Sequence, residues 1–468
     1  MLFNSVAFMF FLPAVLLLIG VAPNRLRNWI LLSASYLFYG AWDWRFLGLI
    51  MTTTLIDFSA SSVISRSDDR QRRRMAFAAS VIANLGILGT FKYFNFFVDS
   101  AAELIEWFGL YASRPALNLI LPVGISFYTL QSMSYTIDVY YERLRATRSL
   151  LEYATYLAYF PQLVAGPIER AQDLLPQIRS PGKVTGERIN IGLMLMLIGY
   201  TKKVLIADSI APITARIYDD PGAYTAGVLL QGCYLYTLQI FCDFSGYSDI
   251  ARGVSELLGI RLGQNFRQPY LSQSVTEFWR RWHMSLGSWL RDYIYVPLGG
   301  NRGGSFQTYR NIMATWLLCG LWHGAAWTYV AWGGLNGIYI CVERAFGIGR
   351  GDPERPHGAA AWGVRVALNV VAFHLIVTTF IVFPSPSLGH VIEFVQGLLV
   401  FDHLADVGIL PFLAAFAVFA IDIPQNASGD HTVFLRLPWW VQSPVYAGLC
   451  FLMMLYGDRE IPFIYFQF

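Results

Sequence analysis

The sequence predicts an all-α, polytopic membrane protein, on three observations: an excess of apolar residues, apolar windows of helical length in series, and basic residues gathered in alternate loops. Hydrophobic residues make up 55% of the chain and charged residues 14%, where soluble domains carry about 25% charge; the mean hydropathy is +0.44. A length of 468 residues would suit two or three soluble domains. No polar block exceeds roughly 50 residues, however, so 1–468 reads as a single integral-membrane domain. A formal net charge of +3 speaks against nucleic-acid binding, and arginines in short loops set orientation instead.

A bilayer core takes about 20 mostly apolar residues per helix. Spans are expected near 4–23, 28–41, 46–64, 76–97 and 117–140, then near 189–208, 224–245, 311–330, 332–346, 362–383, 405–423 and 437–456. That is roughly eleven or twelve by the length criterion. The opening MLFNSVAFMFFLPAVLLLIG has neither a basic n-region nor a small-residue cleavage site, and is expected to stay as the first span. Arg25 and Arg27 follow the first span, Ser65 to Met75 the third and Glu142 to Arg148 the fifth. Every second loop is therefore basic, which puts the N-terminus outside the cytoplasm. Cys233, Cys242, Cys319, Cys341 and Cys450 lack CxxC spacing and read as buried small hydrophobes.

Pro and Gly interrupt the apolar pattern at Leu121 to Phe127, Ala158 to Arg170 and Phe241 to Gly253. Broken backbone at membrane depth is tolerated only inside protein or beside a water-filled cavity, so a re-entrant or funnel-like interior is expected there. Between Ser272 and Gly304 the chain is aromatic and basic together. Ser274 and Glu277 make a capping box. Trp279, Trp282, Leu286, Trp289 and Tyr293 recur at helical spacing while Arg280, Arg281 and Arg291 fall elsewhere. This predicts one helix lying at the membrane interface, ended by Pro297, Gly299 and Gly300.

His323, in GLWHGAAW, is an ionisable group inside an apolar segment. Such a group faces a cavity and has a function by default, and a neutral imidazole can take a proton from an attacking hydroxyl. A satisfied core histidine is the competing reading. His283, among Trp279, Arg280, Arg281 and Trp282, is either an interfacial histidine or part of a site whose guanidiniums hold the phosphates of an activated donor. Asp243, Tyr247 and Asp249 with Ser245 and Ser248 either line a polar cavity or hydrogen-bond a broken helix. Asp57 and Lys92, near the ends of apolar segments, are read as snorkelling or paired. Serine-hydrolase, Walker, dinucleotide-binding and HExxH patterns do not occur, and no metal is required.

Taken in order, PVGISFYTLQSMSY, DFSGYSDIARG, NFRQPY, EFWRRWHMSLGSWLRDYIYVPLGG and GLWHGAAWTYVAWGGLNG resemble the membrane-bound O-acyltransferase family. Within it, the likeness is to the bacterial branch of polysaccharide O-acetylation and teichoic acid D-alanyl transfer. The resemblance implies that His323 matches the family's central histidine and His283 its second conserved polar position. It also implies tilted helices around a thin centre, with an outer funnel and a channel to the cytosol, in the cytoplasmic membrane of a bacterium. His323 and His283 are then the expected catalytic residues, with Asp243, Tyr247, Asp249, Asn265, Trp279, Arg280, Trp282 and Trp322 around the substrates. The donor expected is a cytosolic acyl thioester, acetyl-CoA first. The acceptor is a polysaccharide hydroxyl or an extracytoplasmic acetyltransferase or acceptor protein, with membrane lipids around the chain. An acyl-enzyme, D-alanyl transfer, a lipid acceptor and a polymer flippase stay open as alternatives. Ile381 to His390 departs from the branch, which usually carries a Phe-Arg-Ala type run there. The aromatic tail Phe463 to Phe468 is expected to be a partner contact or an interfacial anchor.

Overall fold

Short polar side chains set where several apolar helices begin: Ser5, Ser149, Ser274 and Ser387 each accept a backbone N–H of the following turn, the N-cap bond. The structure, a computed structural model, describes residues 1–348, 359–457 and 461–464, and no strand occurs among them. The chain is an all-α, multi-pass membrane protein. Among the described residues five helical runs are long and apolar enough to cross a bilayer: Asn24–Arg66, Arg70–Trp107, Gly186–Asp219, Ala360–Val382 and Leu410–Ser428. In Arg70–Trp107 only 17% of the most apolar stretch is buried, an exposed apolar face that calls for lipid against it.

The described residues gather into two compact units. The first, Met1–Gly192 with Ala251–Gly263, holds α1 (Val6–Val21), α2 (Arg27–Asp43), α3 (Leu47–Arg66), α4 (Arg70–Leu88), α5 (Phe94–Trp107), α6 (Ile125–Tyr140), α7 (Leu150–Ala158), α8 (Phe160–Leu163) and α9 (Ala171–Arg179). A 3-10 turn, Trp44–Phe46, joins α2 to α3, and a π turn, Gly89–Tyr93, joins α4 to α5. The helix expected from 117 starts only at Ile125, because Gly124 sits at φ 75° and a Cβ there would come 2.7 Å from the Leu163 carbonyl oxygen. Only glycine suits that position. The break expected at Ala158 to Arg170 is present, as the end of α7, the four-residue α8 and irregular chain after it. Asp57 does not snorkel. It is fully buried on α3 and accepts from Ser80 and Asn84 of α4 and Ser132 of α6, with Asn84 Nδ2 at 2.9 and 3.0 Å. One carboxyl group thus ties three packed helices.

The second unit, Leu193–Ile250 with Gln264–Phe468, takes in the end of α10 (Gly186–Tyr200), a π turn at Thr201–Ala207, α11 (Asp208–Asp219) and most of α12 (Ala226–Leu257). It continues through α13 (Val275–Arg281), α14 (Met284–Leu290), α15 (Gly304–His323), α16 (Trp327–Ala345), α17 (Ala359–Val382), α18 (Leu388–Leu399), α19 (Leu410–Ser428) and α20 (Trp439–Tyr456). α15 and α16 form a hairpin whose contact is made by glycines: a Cβ at Gly320 would strike the Tyr329 carbonyl oxygen, and one at Gly333 the Trp316 carbonyl oxygen. Small residues let two helix backbones approach this closely.

Three expectations are corrected. The backbone is unbroken across Phe241 to Gly253, which lies inside the 32-residue α12. Gly246 serves close packing instead, since a Cβ there would sit 2.7 Å from the Gly199 carbonyl oxygen. The single interfacial helix after Ser272 is two seven-residue helices, α13 and α14, that meet at an extended Trp282 and a left-handed His283. The capping box at Ser274 does form, although Glu277 reaches the Gln273 N–H (2.8 Å) rather than the N-cap's own. Among the cysteines, Cys450 is exposed and Cys341 half-buried, while the other three are buried.

Candidate active site

The site is built where two helix ends carry histidines. His323 is the last residue of α15, which stops because Gly324 is extended (φ −162°, ψ 154°) and its Cα faces the Tyr329 ring, leaving no room for a side chain. Its imidazole is 4% exposed and walled by Trp322 and Trp332, both with ring centroids at 4.9 Å, and by Phe383 at 5.4 Å. Phe383 belongs to Ile381 to His390, the stretch expected to depart from the bacterial pattern, and it borders His323 directly.

His283 is the N-cap of α14. Its φ of 43° is a conformation that side-chain residues adopt rarely, and its Nδ1 accepts the Leu286 N–H at 3.2 Å. A neutral ring so held carries its proton on Nε2. The ring packs on Phe244 (4.7 Å) and Trp322 (5.9 Å). Trp322 therefore touches both imidazoles, and the structure brings the two expected catalytic residues together around it.

The other expected residues divide. Trp279 donates from Nε1 to Asn336 Oδ1 (3.0 Å) and packs on Trp316 and Trp332. Asn336 Nδ2 in turn donates to the Trp332 carbonyl (2.9 Å), so Trp279 braces the wall behind His323. Asn265 holds His283's helix: its Oδ1 accepts from the Ser285 N–H (3.1 Å) and hydroxyl (2.9 Å), and its carbonyl from Met284 N–H (2.9 Å). Trp282 is buried among Phe266, Phe278 and Phe380. Arg281 is bound to Glu277 (2.5 Å) and Asn426 (3.1 Å), whereas Arg280 is exposed with no ion pair among the described residues.

Asp243 and Asp249 belong to an ion cluster built on the π turn. Lys202 bonds Asp249 at 2.9 Å; Lys203 bonds both Asp208 and Asp243 at 2.7 Å. Asp422 is buried in the same unit, and neither of its oxygens finds a hydrogen-bond donor among the described residues. Charges taken this far from water persist only when paired. Asp243 also accepts the Ile464 N–H at 2.6 Å, and Lys203 donates to the Ile461 carbonyl at 3.1 Å. A cavity of about 520 Å³ opens beside this cluster, lined by Lys203, Asp208, Tyr236, Gln239, Asp243 and Pro384 among others. Pro384 follows Phe383, the residue packed on His323. Tyr247 packs against Phe463 (5.0 Å), which also meets Phe244 (5.5 Å). At 1% exposure, Phe463 is neither an exposed partner contact nor an interfacial anchor. Tyr465 and Phe468, the rest of that aromatic expectation, lie outside the described residues. Among the described residues no three or more His, Cys, Asp or Glu side chains gather to hold a metal ion.

Sequence reasoning missed Lys202, Lys203, Asn336 and Asp422. Two consecutive lysines inside the apolar run GLMLMLIGYTKKVLIAD were the available signal, because intramembrane cations need nearby partners.

The family model for membrane-bound O-acyltransferases matches residues 37–383. A probable alginate O-acetylase of Azotobacter vinelandii is 43% identical over 83% of this chain and 76% of its own length. A peptidoglycan O-acetyltransferase of Helicobacter pylori is 34% identical over 74% of this chain and 71% of its own. A teichoic acid D-alanyltransferase of Bacillus subtilis is 26% identical over 59% of this chain and 72% of its own.

Proposed function

The chain belongs to the membrane-bound O-acyltransferase family, and we propose that it moves an acetyl group from acetyl-CoA to a hydroxyl of an extracytoplasmic polysaccharide, or to a partner protein that modifies one. That it is a membrane O-acyltransferase follows from the family. The names of the relatives at 34% and 43% identity, both O-acetylating enzymes, support acetyl as the group moved. The alternate basic loops support an N-terminus outside the cytoplasm, in a bacterial inner membrane with the thioester arriving from the cytosol.

The observation that carries the mechanism is the shared tryptophan: His323 and His283 are both buried and both packed on Trp322. In this reading the acceptor hydroxyl gives its proton to His323 as its oxygen bonds to the thioester carbonyl carbon. The C–S bond then breaks, and the imidazolium returns the proton to the departing sulfur. His283, its proton directed to Nε2 by the Leu286 bond, donates to the carbonyl oxygen as negative charge builds there. The aromatic walls exclude water, which would otherwise hydrolyse the thioester. Arg280, exposed beside this helix junction, is the guanidinium suited to the donor's phosphates.

The test is His323→Ala and His323→Gln in detergent-purified protein. Acyl transfer should fall about 100-fold or more, as for a lost general base, with membrane insertion and elution volume unchanged. Retained transfer in either well-folded variant overturns the assignment.

A further inference from the structure

The first unit contains a cleft that the acyl-transfer reading does not use. It lies where α3 ends at Arg66, α4 begins at Arg70 and α6 ends at Tyr140, and it measures about 890 Å³. Four arginines line it, Arg66, Arg73, Arg145 and Arg148, against two acids, Asp68 and Glu142. Arg73 is committed: it pairs with Glu142 at 2.7 Å and donates to the Tyr140 carbonyl at 3.1 Å. Arg66, Arg145 and Arg148 are exposed and have no ion pair among the described residues.

The loop that carries two of them is held rigidly. Glu142 turns the chain at φ 61°, and the N–H groups of Arg143 and Leu144 both bond the Asp138 carbonyl (2.8 and 3.2 Å). Five residues on, Thr147 is buried, its N–H bonded to the Tyr135 hydroxyl (3.0 Å) and its own hydroxyl to Glu152 (2.8 Å). Arg145 and Arg148 are therefore presented from fixed backbone. With Arg73 and Glu142 paired, three guanidiniums face the single carboxylate of Asp68, so the space keeps a net positive charge and an anion between the arginines relieves their repulsion. A phosphate fits best, because its oxygens match the planar fork of arginine.

Depth in the membrane indicates the source. The cleft sits at the ends of the apolar runs Asn24–Arg66 and Arg70–Trp107, which is where spanning helices reach the headgroups, and arginines at this level attract anionic lipid. We propose that this cleft binds the headgroup phosphate of an acidic phospholipid.

The experiment compares the full chain with R66Q/R145Q/R148Q in nanodiscs of phosphatidylcholine with or without phosphatidylglycerol, reading the thermal unfolding midpoint and the lipid retained in native mass spectrometry. Phosphatidylglycerol should raise the midpoint of the parent and remain bound. The triple variant should lose most of that shift while matching the parent in phosphatidylcholine alone. R72Q/R74Q, which removes two exposed charges of α4 outside the cleft, should behave as the parent. Equal retention and equal shift in parent and triple variant overturn the site, as does an equal loss in R72Q/R74Q. Inorganic phosphate added to phosphatidylcholine discs is the remaining arm: if it gives the same arginine-dependent shift, the source is a soluble phosphate and the lipid assignment is overturned.

Discussion

Each unit buries carboxylate away from water, and each does so by different means. In the first, Asp57 is surrounded by neutral donors, the hydroxyls of Ser80 and Ser132 and the amide of Asn84. In the second, Asp208, Asp243 and Asp249 are held by the ammonium groups of Lys202 and Lys203 beside a cavity. Neutral donors fixed on two helices pin α3, α4 and α6 together through one buried carboxyl group. Ion pairs at a cavity wall leave a field that a polar substrate can meet. On this contrast Asp57 serves stability, and the lysine cluster gives a cavity a charged wall as well.

The lysine side of that contrast should give the largest effect. Lys203→Met strands Asp208 and Asp243, and losing one partner of a buried pair costs about 3–5 kcal/mol. Poor yield and a lowered unfolding temperature are expected, with Lys203→Arg recovering part of both; a Met variant of parental stability would mean the cluster is not needed for folding. Asp57→Ala comes next. It leaves buried donors unsatisfied, at about 1–3 kcal/mol each, although the serines can turn to carbonyls one turn back and soften the loss. Turnover per folded molecule should be unchanged. A fall in turnover with folding intact would erase the distinction between the units.

The smallest effect should come from the pair of Arg179 with Glu152 (2.7 Å), where the arginine side chain is 57% exposed. Its hydrogen bond to Arg179 holds the Glu152 carboxyl below its ordinary value of 4.5. A lowered carboxylate pKa stabilises the fold above that value and the contribution fades as pH falls through the lower, folded one. Arg179→Gln should therefore lose less than about 1 kcal/mol, in full above about pH 4.5 and progressively less below it. A difference that fails to shrink, or grows, as pH falls below that value in unfolding scans would show that Arg179 acts through something other than Glu152.

Helix type, membrane class and the burial of His323 were legible because each depends on local pattern: apolar windows, a capping serine, an imidazole in an apolar run. What failed depends on neighbours distant in sequence. Gly246 looked like a helix breaker in isolation, and only Gly199 opposite explains it as a packing surface. His283 looked like one more residue on an amphipathic helix; its cap geometry is held by Asn265 from another segment. Lys202 and Lys203 were absorbed into an apolar span because their acids lie up to 47 positions away. The residues expected around the substrates turn out to be walls, braces and ion-pair partners, roles that spacing alone does not separate.

The bond between the Ile464 N–H and Asp243 joins positions 221 residues apart, which gives the second unit an order of assembly in time. At translation speeds of about 5–20 residues per second, Asp243 leaves the ribosome roughly 10–45 seconds before its partner exists. During that interval Phe244 and Tyr247 lack the ring of Phe463, and the Lys203 ammonium lacks the Ile461 carbonyl. The polar centre is thus finished late in synthesis, so a chain stalled or clipped before Ile461 would reach the membrane with its helices made and its charged cluster incomplete, a difference that membrane proteases could read.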